Sequence, residues 1–500
     1  MAEPGGLAAP RPASEAPAST SVLAVFAPIM LPVFLAVIDQ TIVATALPAM
    51  ARSLGEVERI SWVVVAYLVA NTIAAPVYGR LGDLFGRRLL MLTALAVFVA
   101  ASLLCAVSTG IGTLTGARVL QGLGGGGLMT LSQALIGESV PPGRRGDFQG
   151  YLAAVIVCSS TFGPVAGGFL TQFFGWPSVF LINLPLGALA MLLVWRLPRT
   201  ARRRGRVRFD ALGLALLTGF ITPLLLALER LQHFARSELP VVFALFALAG
   251  LCLAALAWQE RRARAPLISP ALLRNPAIWR ADAMAGFSGA SLVAMVTFLP
   301  IYLQVVGGAG PGETGFLMLP ITAGVGIGSL LTGRLISRTG RTAIFPGIGL
   351  LVTAATLIAA ALFAGHLGRA QLPWLLAVGA FCQGSAMPVA QITAQALAGP
   401  RMLGAAAGLV QLARSLGSAL GVALVGGVLF ATLAAADPRT AGLFAGMVEQ
   451  GPAAMASLEP AQRAVVQAQI GGGFSAAFLT IACFSASILA LAWSMPVRRL

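Results

Sequence analysis

A single acidic residue lies deep inside a long apolar stretch of the sequence. Asp39 lies roughly 17 residues into the stretch 22–48, whereas nearly all the other acidic residues lie in connectors or at the ends of such stretches. An ionised carboxylate in hydrocarbon costs several kcal/mol unless it is paired, hydrated or protonated. Asp39 therefore suits reversible proton binding. The alternative interpretation is a carboxyl group that packs between helices and hydrogen-bonds to a neighbour.

Two arginines, Arg118 and Arg414, also lie inside apolar stretches. On a helix, Arg118 and Gln121 share one face, and the glycines at 124–127 let a second helix approach closely. A cation that contacts Asp39 when the carboxyl is ionised, and loses that partner when it is protonated, would act as a switch. The alternative interpretation of Arg118 is a structural hydrogen-bond donor.

A further pattern joins a helix breaker to closely spaced small residues. In the run Gly163-Pro164-Val165-Ala166-Gly167-Gly168, the proline removes a backbone hydrogen bond and kinks a helix. Gly163 and Gly167 are spaced for tight packing against another helix. A bend next to a close contact suits a pivot or a seal against leakage, and purely structural packing is the alternative.

The pattern GRL-x4-GR occurs at residues 79–87 and again at 333–341, offset by 254 residues. Each copy lies between two apolar stretches. The same offset places the first apolar stretch on the ninth, so six spans repeat as six with two inserted between them. Two such halves that rock about a central site give alternating access.

The bulk composition shows which elements must position these residues. Hydrophobic residues make up 58% of the 500 residues, charged residues only 10%, and the mean hydropathy is +0.88. Soluble domains carry roughly 25% charged residues, and a helix that crosses a bilayer needs about 20 apolar residues. The composition therefore predicts an all-α integral membrane protein. The net charge of +16 comes from short arginine clusters between apolar stretches, which argues against nucleic acid as a partner.

We predict fourteen spans from hydropathy, turn signals and charge. Their limits are 22–48, 60–79, 89–108, 112–136, 149–172, 178–197, 210–228, 239–258, 280–304, 314–336, 343–365, 372–395, 403–432 and 475–496. Arginines concentrate in alternate connectors along the whole chain, which predicts a multi-pass protein with both termini in the cytoplasm.

These limits divide the chain into four predicted parts. They are a disordered cytoplasmic tail (1–21), an N-terminal six-helix bundle (22–197), a basic linker with two inserted helices (198–278), and a C-terminal six-helix bundle (279–496) with a long external loop at 433–474. A short helix within that loop is an alternative.

Several classes of protein lack their signature in this sequence. The five cysteines are isolated and the two histidines fall in separate connectors, so neither a disulfide framework nor a metal site is predicted. H-E-x-x-H, G-x-S-x-G and P-loop motifs do not occur, which argues against an intramembrane enzyme and against an autonomous ATP-driven pump. No cofactor is expected, and a proton gradient is the expected driving force.

Together these motifs resemble the major facilitator superfamily, and within it the fourteen-span drug:proton antiporters of the EmrB/QacA type, over about 25–495. The resemblance is carried by Asp39-Gln40-Thr41-Ile42-Val43 with Ala46-Leu47-Pro48, by Gly79 to Arg88, by Arg118 to Gly127, by Gly163 to Gly168, and by the patches Phe180 to Pro185, Phe209-Asp210 with Gly213, and Tyr302-Leu303-Gln304. Ala44 replaces the asparagine that is usual in the first motif.

The resemblance implies roles for these residues. Asp39 and Arg118 would serve proton coupling, and Gly163, Pro164, Gly167 and Gly168 would form the antiporter motif. Gly79, Asp83, Gly86, Arg87 and Arg88 would form a cytoplasmic gate that is latched in the outward-open state. Ser337 stands where the second copy of the gate motif often has an acid, which implies a weaker latch there. The second half has no mid-span carboxylate, which favours neutral or singly charged substrates over multivalent cations.

The expected function is proton-coupled efflux of small lipophilic or amphipathic compounds, with multidrug transport as the leading form. Predicted pocket walls are Phe34, Trp62, Tyr67, Gln121, Phe298 and Tyr302, with Met30, Phe162 and Met387 as further candidates. A dedicated exporter of one endogenous metabolite, lipid or siderophore is the alternative, and a non-transporting sensor of the same fold is another. The expected location is the bacterial cytoplasmic (inner) membrane, with protons, the lipid bilayer and a small molecule as partners. An accessory periplasmic adaptor is left open.

Overall fold

The computed structural model describes residues 22–54, 59–198, 210–232, 238–342, 344–368, 370–450 and 460–497. The predicted cytoplasmic tail, most of the arginine-rich linker including Phe209, and the last three residues lie outside the described residues. The elements are helices: α1 (Val22–Leu54), α2 (Ser61–Phe85), α3 (Arg87–Ala106), α4 (Ile111–Ser139), α5 (Arg145–Phe174), α6 (Ser178–Leu181), α7 (Asn183–Trp195), α8 (Ala211–Gln232), α9 (Leu239–Arg262), α10 (Pro270–Arg274), α11 (Pro276–Val305), α12 (Pro311–Thr339), α13 (Ile344–Phe363), α14 (Gln371–Gln383), α15 (Ala386–Ala398), α16 (Leu403–Ala436), α17 (Pro438–Gln450) and α18 (Pro460–Trp493).

Thirteen helical stretches among the described residues are long and apolar enough to cross a membrane, with α6 joined to α7 and α14 joined to α15. Three of the described helices fall outside this group: α10 and α17 are too short, and α4 is long enough but has a lower hydropathy because it contains glycines, Arg118 and Gln121. Its 29 residues give a length of about 43 Å, which exceeds the thickness of the hydrocarbon core. α4 also packs between α2 and α3, two of the spanning helices. A total of fourteen spans requires α4 to cross the membrane with them, and that total stays a prediction.

The helices pack as two bundles with a hairpin between them. In the first bundle α4 contacts α1, α2 and α3, and α1 packs along α5. In the second, α11 packs along α16 and α18, and α13 packs on α14 and α18. The inserted helices α8 and α9 pack on each other, and α8 also touches α2 and α16. The hairpin therefore lies beside the place where the two bundles meet.

The bundles meet along two seams, α2 with α16 and α5 with α12. We call the end of the molecule that carries the turn between α2 and α3 the inner end, and the opposite end the outer end. A Cβ on Gly79 would overlap the carbonyl oxygen of Gly404, and a Cβ on Gly333 would overlap that of Gly146. The first glycine of each GRL-x4-GR copy is thus the residue that lets its helix touch the other bundle.

The second glycine of each copy ends a helix. Gly86 follows α2 with φ of 94°, and Gly340 follows α12 with φ of 65°. Side chains other than glycine adopt such φ values rarely, because the Cβ collides with the backbone. The repeat therefore encodes the same two features in both bundles, a close inter-bundle contact and a sharp turn at the inner end.

The region predicted as a long external loop, 433–474, is mostly helical in the described residues. α16 continues to Ala436, α17 covers Pro438–Gln450, and α18 begins at Pro460, well before the predicted start at 475. α17 is amphipathic, with one apolar and one polar face. Phe444 and Met447 on its apolar face are buried in the apolar core of the second bundle. The structure therefore contains the short helix allowed for this connector, and the polar residues that suggested a loop lie on the outer face of that amphipathic helix.

Candidate functional site

Asp39 and Arg118 form a buried ion pair between α1 and α4. Arg118 Nη1 lies 2.7 Å from Asp39 Oδ2, and the side chains are 1% and 0% exposed. The guanidinium also donates from Nε to the carbonyl oxygen of Val63 on α2, at 3.1 Å. Breaking a buried pair by removing one partner is far costlier than losing a surface pair, because the other charge stays in a low-dielectric interior.

Two amide side chains donate further hydrogen bonds to this carboxylate. Gln121 Nε2 donates to Asp39 Oδ1 at 2.8 Å, and Asn183 Nδ2 donates to the same oxygen at 2.9 Å. Both amides also donate to Ser102 Oγ, and Arg118 Nη1 donates to Gln121 Oε1 at 2.6 Å. Four helices, α1, α3, α4 and α7, therefore contribute residues to one hydrogen-bond network around this carboxylate.

An aromatic ring covers the cation of this network. The Arg118 guanidinium carbon lies 4.2 Å from the centroid of the Tyr67 ring on α2 and 5.9 Å from that of Phe180. Tyr67 is itself only 1% exposed. Ring faces attract a cation and exclude water from it, so the Tyr67 ring stabilises the guanidinium in its position beside Asp39.

The glycine–proline motif of α5 packs directly on α1, one turn from Asp39. Cβ atoms on Gly163 and Gly167 would overlap the hydroxyl oxygens of Thr41 and Thr45, whereas one on Gly168 would meet no atom within 4 Å. Gly163 and Gly167 hence fix the distance between α1 and α5, and Gly168 does not. Pro164 lies inside α5, which continues through it from Arg145 to Phe174.

At the inner end, Asp83 joins the two bundles. Its Oδ1 and Oδ2 accept hydrogen bonds from the backbone N–H groups of Gly404 and Ala405, each at 2.9 Å, at the start of α16. The first N–H groups of a helix lack partners within the helix and carry its positive end, so a carboxylate there is favoured. Asp83 is thus bound to the other bundle by charge as well as by hydrogen bonds.

The arginines of the same motif stay within the first bundle. Arg87 lies 2.7 Å from Asp83 and 2.7 Å from Glu138, and is buried. Arg88 donates to the carbonyl oxygen of Trp195 at the end of α7. Arg87 therefore orients the carboxylate that touches α16, while Arg88 ties α3 to α7.

The second copy of the motif makes a similar contact through a hydroxyl group. Ser337 occupies the position equivalent to Asp83 (83 + 254 = 337), and its hydroxyl oxygen accepts the backbone N–H of Asp147 at 3.2 Å, near the start of α5. The two copies thus bind the starts of the corresponding helices of the opposite bundle, one through a carboxylate and one through a hydroxyl.

Two cavities lie between the bundles and share Val293 and Arg414 as walls. The outer cavity, of 490 Å³, is lined by α1, α2, α8, α11 and α16, and its polar walls include Gln40, Asn71 and Glu229. The central cavity, of 110 Å³, is lined by α4, α5, α11, α12, α14, α15 and α16. Ligand pockets of about 300–1,000 Å³ hold small molecules, so the outer cavity is of suitable size.

The predicted pocket walls do not coincide with the linings of these two cavities. Among the described residues, none of the six leading candidates lines either cavity: Phe34, Trp62, Tyr67, Gln121, Phe298 and Tyr302. Tyr67 and Gln121 belong to the Asp39 network. Phe298 and Tyr302 are buried in the apolar core of the second bundle, where the Tyr302 ring contacts Phe474 and Phe478. Of the further candidates Met30, Phe162 and Met387, Met387 lines the central cavity.

Three residues gain a role that the sequence did not suggest. Asn183 and Ser102 complete the Asp39 network, although only the position of Asn183 in an apolar stretch could have signalled this. Asp282, near the start of α11, is 5% exposed, and both its carboxyl oxygens lack a hydrogen-bond partner among the described residues. The second bundle therefore does contain a buried carboxyl, nearer the inner end than the middle of the span.

No group of three or more histidine, cysteine or acidic side chains within the described ranges could hold a metal ion.

Comparison with known proteins gives a consistent result. The sequence profile described as Major Facilitator Superfamily matches residues 29–422. The chain is 29% identical to the multidrug transporter protein MdtP of Bacillus subtilis over 403 residues, which cover 80% of this chain and 74% of that protein. It is 30% identical to multidrug resistance protein 3 of the same organism, over 80% of this chain and 78% of that protein.

Solved structures resemble the fold at lower sequence identity. The human organic anion transporter MFSD10 (TETRAN) superposes with a TM-score of 0.66 at 16% identity, over 94% of this chain and 99% of that one. At this identity the likeness concerns the arrangement of the helices and not what they bind.

Proposed function

The chain belongs to the major facilitator superfamily of membrane transporters, and from this premise we propose that it exports small amphipathic compounds in exchange for protons. The proposal includes membership of the fourteen-span drug:proton antiporters, a location in the bacterial cytoplasmic membrane, and an inner end that faces the cytoplasm. Members of this superfamily are transporters and not enzymes, so Asp39 and Arg118 are assigned to coupling and not to catalysis.

The observation that carries the proposal is that the Asp39–Arg118 pair lies beside the outer cavity without opening into it. Asp39 is fully buried, and the next residue, Gln40, lines the cavity. A proton on Asp39 would cancel its attraction for Arg118 and leave a buried guanidinium with weaker partners. That state favours a rearrangement of α1, α2 and α4 that rehydrates the cation. Because α1 carries both residues, such a rearrangement alters the cavity wall, which couples proton binding to substrate binding.

The conformation of the inner end fits one stage of this cycle. Asp83 and Ser337 hold the two bundles together there, and the outer cavity lies between α2, α8 and α16 on the far side of that contact. We assign this state to the stage in which the cytoplasmic face is closed. The export cycle then requires the Asp83 contact with the start of α16 to open so that substrate enters from the inside.

The relatives add support for the direction and breadth of transport. Two proteins about 30% identical to this chain are named for multidrug transport or resistance. The outer cavity has a mixed lining, with aliphatic residues of α1, α2 and α16 beside scattered amides and hydroxyls. Such a surface binds amphipathic molecules through apolar burial and needs few fixed hydrogen bonds.

The test uses purified protein in liposomes preloaded with dyes of different charge, placed in an acidic medium. We expect dye to leave the lumen and lumen pH to fall faster than in protein-free liposomes. Asp39→Asn should abolish both, because the amide retains a hydrogen-bonding side chain but carries no proton to exchange. Asp282→Asn is the matched control, since it removes a buried carboxyl outside the network, and it should retain gradient-driven export.

Export that ignores the proton gradient, or that persists unchanged in Asp39→Asn, would contradict the coupling role of Asp39. Export of a single scaffold among many would favour the dedicated exporter over a multidrug transporter.

A further inference from the structure

Arg414 lies near the middle of α16, at the junction of the two cavities. It is the twelfth of 34 residues in that helix, which places it about 17 Å from the inner start of the helix. Both the outer and the central cavity have Arg414 in their walls. A cation at this depth in a bilayer is unfavourable unless partners or water surround it, and intramembrane cations often mark functional sites.

Arg414 has few hydrogen-bond partners in the described part of the protein. Within the described residues no carboxylate pairs with Arg414, and the hydrogen bond that its side chain makes runs from Nε to Gln411 Oε1, at 3.2 Å. The other buried intramembrane arginine, Arg118, has a carboxylate, an amide and a backbone carbonyl as partners. The terminal N–H groups of Arg414 are therefore available to a molecule in the cavity.

Two buried amides next to this cation are also incompletely bonded. Gln383 and Gln411 line the central cavity and are 3% and 5% exposed. Neither polar atom of the Gln383 amide has a hydrogen-bond partner among the described residues, and Gln411 Nε2 has none either. Buried amides are normally bonded, since an unbonded one costs free energy. With Arg414, these two amides supply several N–H donors to one region.

The acidic residues around the cavities do not offset this cation directly. Glu229, at the outer end of α8, is the one acid among the described lining residues of the two cavities. Asp39 is already paired with Arg118 and lines neither of them. The middle of the shared wall is consequently cationic and rich in donors, while the acid lies toward the rim.

We propose that Arg414, with Gln383 and Gln411, binds the acidic group of an amphipathic substrate, a carboxylate or a sulfonate, while the apolar part occupies the outer cavity. A planar guanidinium matches the two oxygens of such a group and is less strongly hydrated than an ammonium. This inference rests on the proposed function, because it names the substrate class of the same transporter. It also narrows the neutral or singly charged class expected from the sequence.

The test compares two probes that differ only in the acidic group, dansyl-leucine and its uncharged amide, dansyl-leucinamide. Binding to purified protein in neutral detergent is followed by dansyl fluorescence with no proton gradient. We expect the wild type to bind the acid at least about tenfold more tightly than the amide. Arg414→Gln should remove this preference, and Arg414→Lys should keep part of it because the charge remains.

Arg262→Gln is the matched control, since it also removes one positive charge but lies at the exposed inner end of α9. It should keep the full preference for the acid. Thermal unfolding of each variant shows whether it is folded, and Arg414→Lys serves if Arg414→Gln is not. Failure of the wild type to bind the acid, equal affinity for acid and amide, or a preference that survives Arg414→Gln would each overturn the assignment.

Because this binding needs no gradient, its result is independent of the Asp39→Asn liposome experiment. Loss of proton coupling with a retained preference for the acid would refute the proposed antiport but leave the substrate class intact.

Discussion

The first bundle buries a carboxylate and a guanidinium 2.7 Å apart, whereas the second keeps its buried acid and its intramembrane arginine apart from each other. Asp39 and Arg118 are sealed from both cavities by a network from four helices. Arg414 lines both cavities, and Asp282 lies near the inner start of α11 without a hydrogen-bond partner among the described residues. The two bundles thus treat buried charge differently. The first holds it in an ion pair away from the cavities, and the second places Arg414 in the walls of both cavities.

The offset of 254 residues between the two copies of the motif identifies which residue of the second bundle corresponds to Asp39. The residue equivalent to Asp39 in the second bundle is Val293 (39 + 254 = 293), and Val293 lines both cavities. A position that carries a buried carboxylate in the first bundle is therefore an apolar cavity wall in the second. The two proposals above accordingly assign proton coupling to the first bundle and the polar contact with substrate to the second.

The largest expected loss of stability comes from removing one partner of the Asp39–Arg118 ion pair. Arg118→Gln should lower the free energy of unfolding by about 3–5 kcal/mol, because it leaves Asp39 charged and buried with fewer partners. The double variant Arg118→Gln/Asp39→Asn should regain much of the lost stability. Arg414→Gln should cost clearly less, since Arg414 has no carboxylate partner among the described residues. Thermal-unfolding curves of these three variants and the wild type measure this, and equal losses for Arg118→Gln and Arg414→Gln would contradict the comparison.

The seam glycines should behave alike in the two bundles. Gly79→Ala and Gly333→Ala each place a methyl group against a backbone carbonyl of the opposite bundle, which should destabilise the closed inner end by about 1–3 kcal/mol. Spin labels on the exposed positions Arg144 and Arg338 report the opening as a longer inter-label distance. Gly168→Ala is the control, because its methyl group meets no atom within 4 Å. Unchanged distances in both seam variants would show that these contacts do not close the inner end.

Substitution of Asp83 should reduce transport more than substitution of Ser337, the equivalent residue in the second copy of the motif. Asp83→Asn weakens two charge-assisted hydrogen bonds and the contact with Arg87, worth about 1.5–3 kcal/mol, whereas Ser337→Ala removes one neutral bond worth about 0.5–1.5 kcal/mol. Transport by Asp83→Asn in the liposome assay should fall several times more than transport by Ser337→Ala. Ser337→Asp should hold the inner end closed more tightly. A larger effect of Ser337→Ala would reverse the asymmetry described above.

The smallest effect is expected at Asp282. Replacing a buried polar group that lacks partners with an apolar one of similar size is close to neutral, so Asp282→Leu should change the free energy of unfolding by less than about 1 kcal/mol. The same replacement at Asp39 should be strongly destabilising, because it leaves Arg118 without its partner. Thermal unfolding of the two leucine variants gives the contrast, and a large loss at Asp282 would point to a partner for that carboxyl.

Much of the first-bundle site could be predicted from sequence. Asp39 and Arg118 stand out because charged residues in apolar stretches are rare and must find partners. The partners themselves are harder to foresee, since Asn183 and Ser102 reach Asp39 only through the packing of α3 and α7. The family resemblance suggested a weaker latch at Ser337, and the geometry of that hydroxyl fits this expectation without testing its strength.

The cavity walls could not be predicted, for a different physical reason. Hydropathy shows that a residue lies in a span but not which side of the helix faces the other bundle, and apolar residues suit lipid, core and cavity alike. Tyr302 and Phe298 were reasonable candidates by size, yet both pack into the core of the second bundle. Similarly, α17 combines low mean apolarity with one buried face, which composition alone does not separate from a loop.

The polar character of α4 has a consequence for how the chain enters the membrane during synthesis. A helix that contains Arg118, Gln121 and a run of glycines partitions poorly into lipid by itself, since an arginine at depth costs about 2.5–3.5 kcal/mol on insertion scales. When α4 leaves the ribosome, however, α1 to α3 have already been made, and they carry Asp39, Tyr67 and Ser102. The order of synthesis therefore provides Arg118 with buried partners before α4 has to partition into lipid.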